Sequence, residues 1–146
     1  LINAETFKEE YILQGHTRGF SVNAVKFSGS ESLLFSGARD ARLLVWDIKN
    51  NFSLVREIPA HNYAIYSIEF SADQRYFATS SRDKSFKIWD AETCEVLEKI
   101  DRVNHEGHQM SVNKLLWTKF KNYLVSGGDD RKIMVWEVNN NTVRSN

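Results

Sequence analysis

Ser36-Gly-Ala-Arg-Asp40 leading into Leu44-Val-Trp-Asp47 is a stretch that returns twice. It reappears as Thr79-Ser-Ser-Arg-Asp83 with Lys87-Ile-Trp-Asp90, and as Ser126-Gly-Gly-Asp-Asp130 with Met134-Val-Trp-Glu137. Trp46, Trp89 and Trp136 stand 43 and 47 residues apart, and Phe27, Phe70 and Trp117 repeat the same two steps. His16, His61 and His108 follow at 45 and 47. A period in this range fixes the architecture before any local propensity does, because each unit is one supersecondary element that buries its core against its neighbours.

Within each unit, short runs alternate apolar and other residues with the period of two that marks half-buried strands. In the first unit they are Val22 to Phe27, Leu33 to Gly37, Leu43 to Trp46 and Leu54 to Ile58. The second has Ile65 to Phe70, Tyr76 to Ser80, Phe86 to Trp89 and Val96 to Ile100, and the third Val112 to Trp117, Tyr123 to Gly127 and Ile133 to Trp136. Turn-forming clusters such as Ser28-Gly-Ser-Glu-Ser32 separate them. No stretch sustains a helical period, and runs like Phe77-Ala-Thr-Ser-Ser81 are rich in residues that compete with a helix. The reading is all-β, with units of four antiparallel strands that match the blade of a β-propeller.

Composition narrows the function classes. The chain has 146 residues, 42% hydrophobic and 26% charged, with zero formal net charge. That suits a packed domain and supplies no global pull toward nucleic acid or an anionic membrane. No run approaches the roughly 20 apolar residues of a membrane-spanning helix. Cys94 is the only cysteine, so neither an internal disulfide frame nor a thiolate metal cluster is available. The start, Leu1 to Glu10, has neither the basic-then-apolar pattern of a secretion signal nor an initiator methionine. It reads as the inside of a longer polypeptide or a trimmed end.

A His, an Asp and a Ser in each unit invite comparison with a hydrolase triad, but catalytic machinery is one site on a scaffold, and a trio present in every unit holds the unit together. His105-Glu-Gly-His108 lacks the spacing that puts two metal ligands on one helical face, and His105 reads as part of a solvated loop. Gly127-Gly128 ends a strand without opening a helix, so no phosphate cradle is indicated. No metal, cofactor or catalytic residue is assigned.

The three copies resemble the WD40 repeat family, whose units open on Gly-His and close on Trp-Asp. The resemblance runs over about residues 11–143, with Ala60-His61 in place of Gly-His and Trp136-Glu137 in place of Trp-Asp. It implies a partial propeller over 1–146: an outer strand of a preceding blade at about 9–14, then blades at about 20–58, 63–100 and 110–145. Tyr11 to Gln14 is read as part of that outer strand, and Asn141 to Asn146 as only a stub of the third blade's. Three blades are short of the 4 to 8 that close a ring, so further blades or further copies of the chain are expected to complete it.

The resemblance also implies a buried hydrogen-bonded set in each blade: His16, Ser36, Asp40 and Trp46; His61, Thr79, Asp83 and Trp89; His108, Ser126, Asp130 and Trp136. Partners of similar propellers dock on the face bearing the turn before each Asp. Carried over, the candidates are Arg39, Arg82 and Asp129 with Ser21, Asn23, Ala64, Tyr66, Ser111 and Asn113, and Phe20 and Tyr63 lie beside them. The two arginines and the aromatic side chains suit a peptide with an acidic or phosphorylated side chain. None of Trp46-Asp-Ile-Lys49, Trp89-Asp-Ala-Glu92 and Trp136-Glu-Val-Asn139 carries the Trp-Asp-x-Arg motif of family members that act as ubiquitin-ligase receptors. The expected function is a cytoplasmic, or in a eukaryote nuclear, scaffold that binds proteins or peptides, with no catalysis, nucleic acid or membrane. The alternative is the regulatory or targeting portion of a larger enzyme or multidomain protein.

Overall fold

The computed structural model describes residues 2–6, 8, 11–139 and 142–145, the last four by backbone alone. Twelve strands form three four-stranded antiparallel sheets of meander topology. Blade 1 comprises β1 (Val22–Phe27), β2 (Leu33–Ala38), β3 (Arg42–Asp47) and β4 (Ser53–Pro59); blade 2 comprises β5 (Ile65–Phe70), β6 (Tyr76–Ser81), β7 (Phe86–Asp90) and β8 (Val96–Ile100). Blade 3 comprises β9 (Val112–Trp117), β10 (Tyr123–Gly128), β11 (Ile133–Asn139) and β12 (Thr142–Ser145). The alternating runs therefore become strands at the expected places.

The blades stand side by side with like orientation, because inner strands β1, β5 and β9 are neighbours in register. Asn23 Nδ2 donates to the Ile65 carbonyl (3.0 Å), Lys26 Nζ reaches Glu69 (2.8 Å), and the Leu115 amide meets Ser67 Oγ (3.3 Å). Between blades 1 and 2 lies an aromatic core in which Phe35 packs at 5.1 Å from both Phe70 and Phe77, and Phe77 stacks on Trp89 at 5.6 Å. Between blades 2 and 3, Phe86 meets Trp136 at 5.2 Å among Ile88, Ile100, Leu115 and Leu124. Each sheet is thus apolar on two faces, and the faces between blades are the core.

The repeat allows one position to be compared in three settings. Ile65 (0% exposed), Ile68 (3%) and Phe70 (8%) in β5 are covered by blade 1, and Val112, Leu115 and Trp117 in β9 by blade 2. Their counterparts in β1, Val22 (51%), Val25 (64%) and Phe27 (46%), have no blade packed before them among the described residues. Leu34, Leu44 and Trp46 on the same side of blade 1 are covered in part by Leu13 from the preceding segment. Identical chemistry is buried or bare according to whether a neighbouring sheet is present.

Tyr11–Gln14, expected as the outer strand of a preceding blade, is irregular among the described residues and packs Leu13 against blade 1; residues 9 and 10 lie outside the described set. Two expectations are corrected. The C-terminal stub is a full partner strand, since β12 pairs with β11 from Trp136↔Ser145 to Asn139↔Thr142; residues 141 and 146 are outside the described set. The β8–β9 connection is not a plain loop but carries one helical turn, α1 (Arg102–His105), capped by Asp101 Oδ1 accepting from the Val103 and Asn104 amides. The Asp101 carbonyl also receives the His105 and Gly107 amides. A Cβ on Gly107 would lie 2.8 Å from Asp101, so this fold-back needs glycine.

Phe77 is fully buried and touches the aromatic core on three sides. Phe77→Ala is expected to lower unfolding free energy by about 3–5 kcal/mol, whereas Phe120→Ala, at a 69% exposed position, should change it by about 0.5 kcal/mol or less. Urea denaturation of both variants checks this.

Candidate functional site

In every blade the four residues implied by the resemblance are brought into one chain of hydrogen bonds. The indole Nε1 of Trp46, Trp89 and Trp136 donates to the hydroxyl of Ser36 (2.9 Å), Thr79 (2.8 Å) and Ser126 (2.8 Å). The same hydroxyls lie 2.9, 2.8 and 2.8 Å from Nε2 of His16, His61 and His108. The imidazole Nδ1 atoms in turn lie 3.1, 2.9 and 2.9 Å from Asp40, Asp83 and Asp130.

The donor inventory fixes the direction of this relay. An indole N–H can only donate and a carboxylate can only accept, so the hydroxyl takes the indole proton on a lone pair, the Asp calls for the imidazole proton on Nδ1, and Nε2 of that tautomer accepts from the hydroxyl. Nδ1–H then donates to the carboxylate, which accepts only. Each hydroxyl and each imidazole donates once and accepts once between an indole that only donates and a carboxylate that only accepts, and a buried polar network satisfied in this way rigidifies its surroundings.

Each Asp also ties two chain segments together. Asp40 accepts from the Thr17 amide (2.8 Å) on the incoming loop and the Arg42 amide (3.1 Å) in its own β2–β3 turn. Asp83 takes Asn62 and Ser85, and Asp130 takes Gln109 and Lys132, in the same two places. The turn needs this help, because Ala41, Lys84 and Arg131 hold φ of 66°, 70° and 64°, a left-handed conformation unfavourable to side chains. Burial pushes the three carboxyls up, but backbone amides and the imidazole outweigh it and hold all three below the ordinary range, Asp83 furthest.

Ser36, Thr79 and Ser126 are buried, and each hydroxyl is engaged by both Trp and His. Blade 2 adds a residue that sequence reasoning passed over. Lys87, equivalent to Leu44 and Met134, extends over the Trp89 ring (5.6 Å) and donates to the Ala60 carbonyl (2.6 Å) in the link between blades. Burial lowers its pKa while Asp83 acts in the opposite sense. It read as the polar member of an alternating strand, and nothing in the sequence marked it.

The antiparallel meander puts the turn between the second and third strands of every blade (β2–β3, with β6–β7 and β10–β11 as its counterparts) and the segments entering each blade on one end of the sheets. Here the candidate partner residues gather, and a feature invisible in the sequence positions them. In each inner strand the register skips one residue: Val22 and Ala24 oppose Ala38 and Gly37, Ile65 and Ser67 oppose Ser81 and Ser80, and Val112 and Lys114 oppose Gly128 and Gly127. Asn23, Tyr66 and Asn113 are therefore the extra residues of three β-bulges, devices that re-aim a side chain out of the pleat. Beside each bulge the amides of Arg39, Arg82 and Asp129 donate to the carbonyls of Ser21, Ala64 and Ser111.

Arg39, Arg82, Asp129, Ser21, Asn23 and Asn113 are exposed, and Ser111 and Tyr66 are half-buried. Asn113 donates to the Asp129 carboxylate, and Ser21 to Asn23 Oδ1. Ala64 is corrected: its small side chain is 5% exposed at the head of β5, enclosed where the backbone pairs with Arg82. Phe20 (45% exposed) projects from a turn closed by its amide on the Thr17 carbonyl, with Gly19 at φ 88° making the left-handed step. Tyr63 is 59% exposed at the equivalent place, and Met110, missed in the sequence, 51%. Superposing the three repeats would have found Met110, which immediately precedes Ser111 as Phe20 precedes Ser21.

His105 is corrected as well. It is half-buried rather than solvated: Nε2 lies 3.3 Å from Glu98 Oε1 of β8, and Nδ1 is buried. Among the described residues no group of three or more His, Cys, Asp and Glu is arranged to hold a metal ion.

The WD40 family, described as WD domain, G-beta repeat, matches residues 7–47, 52–90 and 101–137. Small ribosomal subunit protein RACK1 of Schizosaccharomyces pombe is 31% identical over 138 residues, which are 92% of this chain and 42% of that protein. Eukaryotic translation initiation factor 3 subunit I of Saccharomyces cerevisiae is 30% identical over 95 residues, 65% of this chain and 26% of its own. A crystal structure of RRP9 WD40 repeats superposes with a TM-score of 0.80 at 26% identity, over 91% of this chain and 39% of that one. The chain spans less than half the length of each.

Asp83→Ala is expected to cost about 1–3 kcal/mol by leaving His61 and two amides without their acceptor. The sign of the acid dependence follows from the depressed carboxyls: their contribution is complete above the unfolded Asp value near pH 4 and drains as pH falls through the folded values. Urea midpoints measured from pH 5 down to pH 2 should fall, and less steeply for Asp83→Asn than for the parent.

Proposed function

The chain belongs to the WD40 repeat family, and we propose that it works as a protein-interaction module, binding partner proteins or peptides on the end of the blades that carries the β2–β3 turns. The observation behind this reading is the arc of Phe20, Tyr63 and Met110, large apolar side chains exposed at one equivalent position in three blades. Folding alone gives no reason to keep such residues in water, and aromatic and Met side chains beside arginine are the types enriched in binding hot spots. The bulged Asn23, Tyr66 and Asn113 supply adaptable polar contacts on the inner side of the arc.

These residues carry no chemistry of their own in this reading, because the groups that resemble a triad are spent on holding the blades. Relatives named as a subunit of an initiation factor and a protein of the small ribosomal subunit support membership in an assembly. A cytoplasmic or nuclear place of work belongs to the same proposal. So does ring completion: the bare Val22, Val25 and Phe27 call for a further blade, from a longer chain or another copy. The small share of its relatives that the chain covers also suits an interaction portion within a larger protein.

Replacing Phe20, Tyr63 and Met110 together by Ser should leave the unfolding midpoint near that of the parent while abolishing cross-linking to partner proteins in cell extract. A triple variant that recovers the same cross-linked proteins in the same amounts contradicts the assignment.

A further inference from the structure

Zero net charge conceals a separation of charge between the two ends of the blades. The end with the β2–β3 turns carries Arg18, Arg39, Arg82, Lys84, Arg131 and Lys132, all exposed and none engaged in the ion pairs formed among the described residues. Against them stand Asp129 and, on the β8–β9 connection, Glu106 and Asp101, the latter paired with Lys99; Asp40, Asp83 and Asp130 are committed to their histidines. The opposite end of blades 1 and 2 has an acidic excess, with Glu31, Asp47, Asp73, Asp90, Glu92 and Glu95 against Lys49 and Arg75 in the same turns, while the matching turn of blade 3 carries Lys119 and Lys121. A cationic end on a neutral chain selects anionic partners and orients them on approach.

The cationic arc is interrupted at one place. The position before the network Asp is Arg39 in blade 1 and Arg82 in blade 2, but Asp129 in blade 3, where the Asn113 amide holds the carboxylate beside the bulge. A carboxylate at that point repels a second one and discriminates against any uniformly anionic ligand. Apolar surface continues past the interruption, since Met110 stands where Phe20 and Tyr63 stand in the other blades.

We infer that the ligand of this face is an extended peptide of divided chemistry, with acidic side chains over Arg39 and Arg82 and an uncharged apolar portion over Met110 and Asp129. This rests on the interaction reading above and adds to it which part of the partner is acidic. A nucleic acid fits less well, because a phosphate backbone is charged throughout its length and would run onto Asp129.

Fluorescence anisotropy with the full chain tests the inference, using labelled ten-residue peptides: one with an acidic half followed by a Leu/Phe half, one with the halves reversed, and one acidic throughout, alongside a labelled oligouridylate. One of the two divided peptides should bind tightest. Arg39→Glu with Arg82→Glu should weaken it about tenfold or more, the range measured for close interfacial charges. Asp129→Lys should strengthen the wholly acidic peptide and the oligouridylate about tenfold. A parent chain that prefers either uniform anion, or an Asp129→Lys variant without that gain while the arginine pair still matters, overturns the division and leaves the face. If no peptide binds, or the arginine reversals are silent, the peptide reading of the face falls with it.

Discussion

A hydrogen bond that runs one way only, from an indole N–H to a hydroxyl, sets the terms for each blade. Since tryptophan cannot accept, the hydroxyl must; and since the carboxylate cannot donate, the imidazole proton goes to it from Nδ1, which leaves Nε2 to receive the hydroxyl proton. The relay crosses the blade from β3 through β2 to the segment that enters it, and the Asp at its far end fastens the β2–β3 turn. Three strained left-handed residues, Ala41, Lys84 and Arg131, sit in the turns that this carboxylate steadies. The end proposed to meet partners is therefore built on the ends of three buried relays.

That arrangement explains how a surface for binding can be adaptable and still well placed. The exposed side chains reside on turns and bulges, where substitution costs little packing. The backbone beneath them is fixed by the His–Asp contacts and by the pairing of Arg39, Arg82 and Asp129 with the heads of the inner strands. Small differences between blades then change the chemistry offered without disturbing the frame, as in the exchange of Arg for Asp at position 129 or of Phe20 and Tyr63 for Met110.

The strand positions were legible in the sequence because a sheet with two covered faces leaves a dense alternating pattern, and because three copies averaged out the ambiguity of each. What escaped was information that period does not carry. A bulge adds one residue without altering the alternation on either side, so Asn23, Tyr66 and Asn113 gave no sign of being unpaired. Four residues are too few to show a helical period, which hid α1. Ala64 and Lys87 were misjudged or overlooked for one reason: burial there depends on the link between blades, and a strand pattern reports only on its own sheet. Tyr11–Gln14 has the look of a strand whose partners lie outside the described residues, and Leu13 covers part of blade 1.

The direction of the relay is the claim on which the rest depends, and the imidazole nitrogens report it directly. In a long-range nitrogen–proton correlation spectrum at neutral pH, His16, His61 and His108 should each appear as the neutral ring protonated on Nδ1, with Nε2 as acceptor and a slowly exchanging Nδ1 proton. A set of rings protonated on Nε2, or in rapid exchange with solvent, would contradict it.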